Sequence, residues 1–163
     1  MDQPPRPISA QERSKDALRL WLRMLSCSNA IERDVRSRLR REFSVTLPRF
    51  DLMAALERHP EGLSMSQLSE SLMVSNGNVT GIVDRLVREG MLDRHARPND
   101  RRSYLITMTA SGRRNFDEMA RAHEAWINDF FARLSDEDIA SLTALLDRTR
   151  SALNDQATET PEQ

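Results

Sequence analysis

Cysteine, histidine and long apolar runs are scarce in this chain of 163 residues, and each shortage excludes a class of protein. Cys27 is the only cysteine, so no disulfide can form within one chain. No apolar run approaches the roughly 20 residues that a membrane-spanning helix needs. The first ten residues lack the apolar core of a secretion signal. We therefore expect a cytoplasmic protein without membrane association, and the length suits one domain with its own core.

Motifs of catalysis and of cofactor or metal binding are also missing. The sequence has no glycine-rich phosphate loop, no nucleophile elbow and no paired-carboxylate motif. The three histidines, His59, His95 and His123, have no cysteine or carboxylate at the spacing of zinc ligands. We therefore predict that the protein is not an enzyme and uses neither a cofactor nor a metal ion.

Charge is distributed unevenly along a chain whose formal net charge is only -1. Residues 1–50 carry 11 basic and 6 acidic groups, and residues 75–114 carry 8 and 4. Residues 115–163 carry 4 basic and 11 acidic groups. Because phosphate binding depends on local charge, the basic central segment is compatible with a nucleic-acid partner.

Long amphipathic helices are predicted at both ends of the chain. Apolar residues recur every three or four positions from Leu20 to Phe43, which indicates a helix of about 30 residues. Two more such helices follow Thr109 or Ser111 and Ser135, and Ser135 is followed by three carboxylates that favour a helix start. Residues 1–14 and 153–163 are polar or rich in proline, so we predict disordered tails there.

The central segment has the pattern of a winged helix-turn-helix. Ser64 and Gln67 form a capping box before one short helix, and Ser75 caps a second that stops at Gly90. Strands are predicted from Met91 to Ala96 and from Ser103 to Thr109, joined by a turn at residues 97–100. The predicted fold is mainly α with a small β-hairpin wing. Its winged core spans residues 47–110, between long dimerisation helices at 15–46 and 111–152.

The second short helix presents two glycines on its outer face, opposite its apolar residues. Gly77 and Gly81 each cost about 1 kcal/mol relative to alanine in an exposed helix. Close approach to the major groove of DNA would explain that cost, and a tight contact within the protein is the alternative. Asn76 and Asn78 suit either contact with an adenine edge or simple capping of the helix.

Several motifs make the chain similar to a known family over residues 15–150. They are Leu68-Ser69, Val74-Ser75, Asn78-Val79-Thr80, Val83-Asp84-Arg85-Leu86, Glu89-Gly90-Met91-Leu92, Asp100-Arg101-Arg102, and Thr109 followed by Ser111-Gly112-Arg113. With these motifs the chain resembles the MarR family of bacterial transcription regulators. The resemblance implies a homodimer that binds a pseudo-palindromic operator in double-stranded DNA.

Helical periodicity gives the first of two sets of candidate DNA-binding residues, and the resemblance gives the roles within the second. The recognition helix would contribute Ser75, Asn76, Gly77, Asn78, Thr80, Gly81 and Arg85. The wing would contribute Asp100, Arg101 and Arg102, with Arg102 inserted into the minor groove and Asp100 holding it by an ion pair. Further arginines are candidates for phosphate contacts: Arg85, Arg88, Arg94, Arg97, Arg113 and Arg114.

A finer likeness concerns three segments, Leu20-Trp21-Leu22-Arg23, Leu47-Pro48-Arg49-Phe50-Asp51 and Gly77-Asn78-Val79-Thr80-Gly81. These segments are similar to members that control the catabolism of aromatic acids such as hydroxycinnamates. The implied small-molecule effector is an aromatic carboxylic acid or its CoA thioester, and binding of the effector would relieve repression. Residues that would line the effector pocket are Trp21, Met24, Phe50, Met53 and Trp126, although each of them also suits a plain core position.

Three arginines, Arg19, Arg23 and Arg49, suit either an acidic ligand or a solvated helix face. Cys27 lies on the apolar stripe of the first helix, where we expect a buried structural thiol. The alternative function is a helical protein-interaction module that uses the Gly77/Gly81 face and does not bind DNA.

Overall fold

The computed structural model describes the backbone of residues 10–72, 76–97 and 100–159 and the side chains of residues 13–72, 77–96 and 104–155. The helices in these ranges are α1 (Ala10–Phe43), α2 (Leu47–Glu57), α3 (Met65–Leu72), α4 (Asn76–Arg88), α5 (Ala110–Phe131) and α6 (Asp136–Glu159). The strands are β1 (Leu63–Ser64), β2 (Leu92–Arg97) and β3 (Asp100–Met108). The predicted class, mainly α with a small β wing, is confirmed.

The chain divides into two compact units. The first covers Met1–Ala122 and contains the winged core together with α1, and the second covers His123–Gln163. Helix α5 contributes residues to both units, because its range crosses the division after Ala122.

The sheet is antiparallel with the strand order β1-β3-β2. Leu63 pairs with Ile106 on one side of β3, and Leu92 pairs with Met108 at the start of the hairpin. Strand β1 was not predicted, because a two-residue strand is too short to show alternation in the sequence. Strand β3 begins at Asp100, three residues earlier than expected, because Asp100 already pairs with Arg97 across the turn.

The core of the first unit joins helices α1 to α5 and two of the three strands. Its fully buried side chains are Leu39, Leu52, Met53, Leu56, Leu68, Val79, Val83, Leu86, Leu92, Ile106 and Met119. They come from α1 to α5 and from β2 and β3, and burial of apolar area on this scale is the main force that holds a small domain together. Phe50 and Phe116 add a tilted ring pair, with centroids 5.5 Å apart, between α2 and α5.

Local caps fix where three of the helices begin. The Ser64 amide donates to Oε1 of Gln67 at 2.9 Å, and the Gln67 amide donates to Oγ of Ser64 at 3.3 Å, which confirms the capping box. Thr109, and not Ser111, caps α5, because its Oγ1 accepts a hydrogen bond from the Gly112 amide at 2.9 Å. The predicted cap at Ser75 lies outside the described residues.

The second unit contains α6, whose start is fixed by Ser135. The Asp138 amide donates to Oγ of Ser135 at 3.1 Å, and that hydroxyl donates to the Asp138 carboxylate at 2.7 Å. The hydroxyl and amide of Ser135 thereby lower the pKa of Asp138. Earlier in this unit, burial lowers the pKa of His123, whose ring lies edge-on to Trp126 at 6.4 Å.

The terminal helices extend into the segments expected to be disordered. Helix α1 begins at Ala10, inside the predicted tail of residues 1–14, and α6 continues to Glu159, inside the predicted tail of residues 153–163. Neither extension contains proline or glycine, so nothing in the sequence stops the helix before those ends. Among the described residues, no helix combines the length and apolar character that crossing a bilayer requires.

Candidate nucleic-acid interface

Helix α4 has a buried face and an open face. Val79, Val83 and Leu86 are completely buried against the rest of the core. The exposed residues include Gly77, Asn78, Thr80, Gly81 and Arg85, which are five of the seven residues predicted for the recognition helix. Ser75 and the side chain of Asn76 lie outside the described residues. The helix thus packs by its apolar stripe and presents polar and glycine positions outward.

The two glycines of α4 face open space. A Cβ atom built on Gly77 or Gly81 would meet no described atom within 4 Å. Within the part of the chain that the structure describes, this finding contradicts the alternative that these glycines serve a tight intramolecular contact. The backbone of α4 is therefore bare on its outer face, so a bulky partner can approach it closely.

Arginines stand in the last turn of α4 and on β2, and carboxylates of the same unit hold two of them. Arg85 donates from Nε to Glu89 at 3.0 Å, and Arg94 forms an ion pair with Asp84. Arg88 donates from Nε to the Asp84 carbonyl oxygen at 3.3 Å. The arginines are largely on the surface, where such pairs are weak and a phosphate can replace the carboxylate.

Arg113 differs from the other candidates for phosphate contacts because it joins two helices. Its Nη1 donates to Glu57 at 2.7 Å, which ties the start of α5 to the end of α2. The backbone of the wing places Asp100, Arg101 and Arg102 in β3. The side chains of these three residues and of Arg97 lie outside the described residues, so the expected Asp100–Arg102 ion pair stays a prediction.

Arg49 was considered as a partner for an acidic ligand, but the structure gives it another role. Its guanidinium makes two hydrogen bonds to the two carboxylate oxygens of Glu89, one of them at 3.3 Å. The pair links the first turn of α2 to the residue that follows α4. The sequence gives no signal for the Arg49–Glu89 pair, because its partners are 40 positions apart. The Arg85–Glu89 pair does have a signal, since its partners stand at the i, i+4 spacing of a helical ion pair.

The residues predicted for the effector pocket occupy different environments. Trp21 and Met24 are exposed on α1, whereas Phe50 and Met53 are packed in the core of the first unit. Trp126 is buried and belongs to the second unit.

In the single chain, every residue from 13 to 30 of α1 is exposed. Cys27 is exposed, so the expectation of a buried thiol is wrong for one chain by itself. Arg19 pairs with Asp16 at 2.9 Å on the solvated face of α1.

Comparisons with known proteins agree with this geometry. The model of the MarR family matches residues 45–104. The chain is similar to the transcriptional activatory protein BadR of Rhodopseudomonas palustris, with 32% identity over 115 residues that cover 69% of this chain and 65% of BadR. The chain thus spans slightly less than two thirds of that relative's length.

Solved structures show the same fold. A MarR family transcriptional regulator from Silicibacter pomeroyi is 32% identical, has a TM-score of 0.73, and is matched over 87% of this chain and 98% of that one. A mutant of MarR from E. coli, solved in complex with operator DNA, has a TM-score of 0.69 over 82% of this chain and 95% of its own. At 21% identity this second likeness concerns the fold alone. The open face of α4, the wing hairpin and these matches together show that the chain belongs to the MarR family of DNA-binding winged-helix transcription regulators.

Proposed function

We propose that the protein acts as a homodimer that binds a pseudo-palindromic operator and that a small-molecule effector controls this binding. The observation that carries the proposal is the open outer face of α4, where two glycines have free space beside them and arginines stand nearby. Such a surface fits the floor of a major groove flanked by phosphates. In this proposal the recognition helix reads base edges, and Arg101 and Arg102 of the wing reach the adjacent minor groove.

The exposed apolar surface supports the homodimer. Helix α1 exposes Leu18, Leu20, Trp21, Leu22, Met24 and Leu25, and α6 exposes Ile139, Leu142, Leu145, Leu146 and Leu153. A helix face that exposes so many large apolar side chains usually marks an interface with another chain. A twofold dimer would present two α4 helices to half-sites about one helical turn apart, which is why the operator should be pseudo-palindromic.

The effector in this proposal is an aromatic carboxylic acid or its CoA thioester. Support comes from the likeness of residues 20–23, 47–51 and 77–81 to regulators of aromatic-acid catabolism. The effector acts by binding more tightly to a form of the dimer that does not fit the operator. We propose repression that the effector relieves, with Trp21, Met24, Phe50 and Met53 of the first unit as residues that contact it.

A gel shift with purified protein tests the proposal. The probes are the DNA upstream of the protein's own gene and a duplex selected from random sequence, each at low and moderate salt. We expect a shift that weakens steeply with salt, in proportion to the phosphates contacted, and that one of p-coumarate, benzoate or their CoA thioesters relieves. Failure to bind any duplex at low salt would favour the protein-interaction module. Tighter operator binding in the presence of the effector would instead indicate activation, the role that the name of BadR states.

A further inference from the structure

Three charged side chains, Arg49, Glu89 and Arg85, are joined by hydrogen bonds at the end of α4. Glu89 accepts two hydrogen bonds from Arg49 and one, at 3.0 Å, from Nε of Arg85. Burial raises the pKa of Glu89, but the hydrogen bonds from Arg49 and Arg85 outweigh it and hold the pKa below its usual value. Glu89 is therefore a carboxylate that two guanidinium groups share.

The two arginines that bind Glu89 differ in how easily they can separate from it. The Arg49 side chain is only 14% exposed, and its Nε is buried without a hydrogen-bond partner among the described residues. Losing Glu89 as well would leave a mostly buried cation without a counter-charge, which is costly. The Arg85 side chain is 65% exposed, so water or an anion can solvate it when it separates from Glu89. Arg49 therefore fixes Glu89 in place, and Arg85 is the partner that can leave.

Room for an anion exists beside this pair. Arg85, Arg88 and Glu89 line an open groove of about 380 Å³ at the surface of the first unit. Arg85 also lies one helical turn from Gly81, on the exposed side of α4 that we assign to DNA. A phosphate that approaches this side meets Arg85 while Glu89 still holds it.

We propose that Glu89 is a positioning residue that competes with the DNA phosphate for Arg85 and so sets how strongly α4 binds the DNA backbone. This inference rests on the proposed DNA binding. Each time the protein binds, Arg85 exchanges a carboxylate for a phosphate, and Glu89, still held by Arg49, remains near the new contact as a like charge to the phosphate. Both effects make Arg85 a weaker phosphate ligand than a free arginine would be.

The test measures operator affinity for the parent, Glu89→Gln, Arg85→Ala and the double variant. We expect Glu89→Gln to bind more tightly by up to about fivefold, the range of an exposed ion pair. This gain should disappear in the Arg85→Ala background and shrink as salt increases. Glu89→Gln should also lower the melting temperature, because Arg49 loses its counter-charge. Weaker operator binding by Glu89→Gln at all salt concentrations, with or without Arg85, would show a purely structural role and overturn the inference.

A second measurement does not depend on Glu89→Gln folding correctly. In free protein, Arg85→Ala should leave the melting temperature unchanged, while the pKa of the Glu89 carboxyl, followed by carbon NMR, should rise because one of its two cations is gone. An unchanged pKa would overturn the inference. A parent that binds no duplex overturns the proposed function as well, whereas a parent that binds with an affinity equal to that of Glu89→Gln overturns this inference alone.

Discussion

Gly112 packs so closely against Met91 that a Cβ atom on Gly112 would overlap the carbonyl oxygen of Met91. The same carbonyl accepts a hydrogen bond from the Thr109 amide at 3.0 Å. The Thr109 hydroxyl in turn donates to the Gly90 carbonyl at 2.8 Å. The end of α4, the start of β2 and the start of α5 therefore meet at one point, which fixes where the recognition helix ends relative to the wing.

We predict that Gly112→Ala destabilises the fold by about 1–3 kcal/mol, because the methyl group must displace backbone and not a flexible side chain. Gly81→Ala is the matched control, since its methyl group would enter open space on a helix and should stabilise the protein by up to ~1 kcal/mol. Urea unfolding of both variants provides the comparison. Equal stability of the two variants would show that Met91 moves aside at little cost.

For the recognition helix, we predict that Gly81→Leu abolishes sequence-specific binding and leaves the fold intact. No atom of the described residues lies within 4 Å of a Cβ atom at Gly81, so the larger side chain displaces none of the described core. The same side chain would keep α4 away from base edges in the groove. Footprinting on the operator and a thermal melt are the two measurements. A footprint identical to the parent's would show that Gly81 does not approach the DNA.

Features with local signals could be predicted from the sequence, and features that depend on distant partners could not. Caps such as Ser64 with Gln67 and Ser135 with Asp138 involve residues three positions apart, so the sequence displays them directly. The outward direction of Gly81 followed from helical periodicity alone.

Long-range and intermolecular contacts had no such signal. The Arg49–Glu89 pair and strand β1 depend on how distant segments meet in space. Cys27 was assigned to a buried stripe because periodicity shows that a face is apolar and does not show what covers it. In the single chain, residues 13–30 of α1 are uncovered.

The exposed leucines of α6 lead to a prediction about the dimer. Leu142→Glu should raise the dimer dissociation constant at least tenfold, because burying a leucine contributes about 1.5–3 kcal/mol and a carboxylate in its place must be desolvated. Ala144→Glu is the control, about 200° away around the same helix. Analytical ultracentrifugation at micromolar concentration measures the dimer dissociation constant of each variant. If both variants stay dimeric, this face of α6 is not the interface.

At the wing, we predict that Arg102→Ala weakens operator binding by roughly tenfold, the loss of one contact between an arginine and the negative minor groove. Dimerisation and melting should not change. Arg150→Ala is the control, because Arg150 is an exposed arginine of α6 paired with Asp147 at 2.9 Å. Operator titration by fluorescence anisotropy compares the two variants. Equal affinities would refute the minor-groove role of Arg102.

The last prediction concerns Asp51, which lines a cavity of about 260 Å³ with Ala54, Ala55, Arg58, Ser71 and Leu72. Burial and the nearby charge of Glu32 raise the pKa of Asp51 above 3.8, and Arg36 and Arg58 only partly oppose them. The fold therefore favours the protonated form. The stabilisation that comes from protonated Asp51 is complete at pH values below the pKa of Asp51 in the unfolded chain. It is lost as the pH rises through the pKa of Asp51 in the folded protein.

Asp51→Asn should accordingly be more stable than the parent at pH 7, with the advantage disappearing as the pH falls below the usual range of an aspartate. Asp138→Asn should instead be less stable than the parent at pH 7, because hydrogen bonds from Ser135 stabilise the ionised Asp138 and lower its pKa. Its loss of stability should be present at pH 7 and vanish as the pH falls through the folded pKa. Urea midpoints of the parent and both variants at several pH values measure the two trends. An Asp51→Asn variant that is less stable at neutral pH would show that the arginines, and not burial, dominate at this carboxylate.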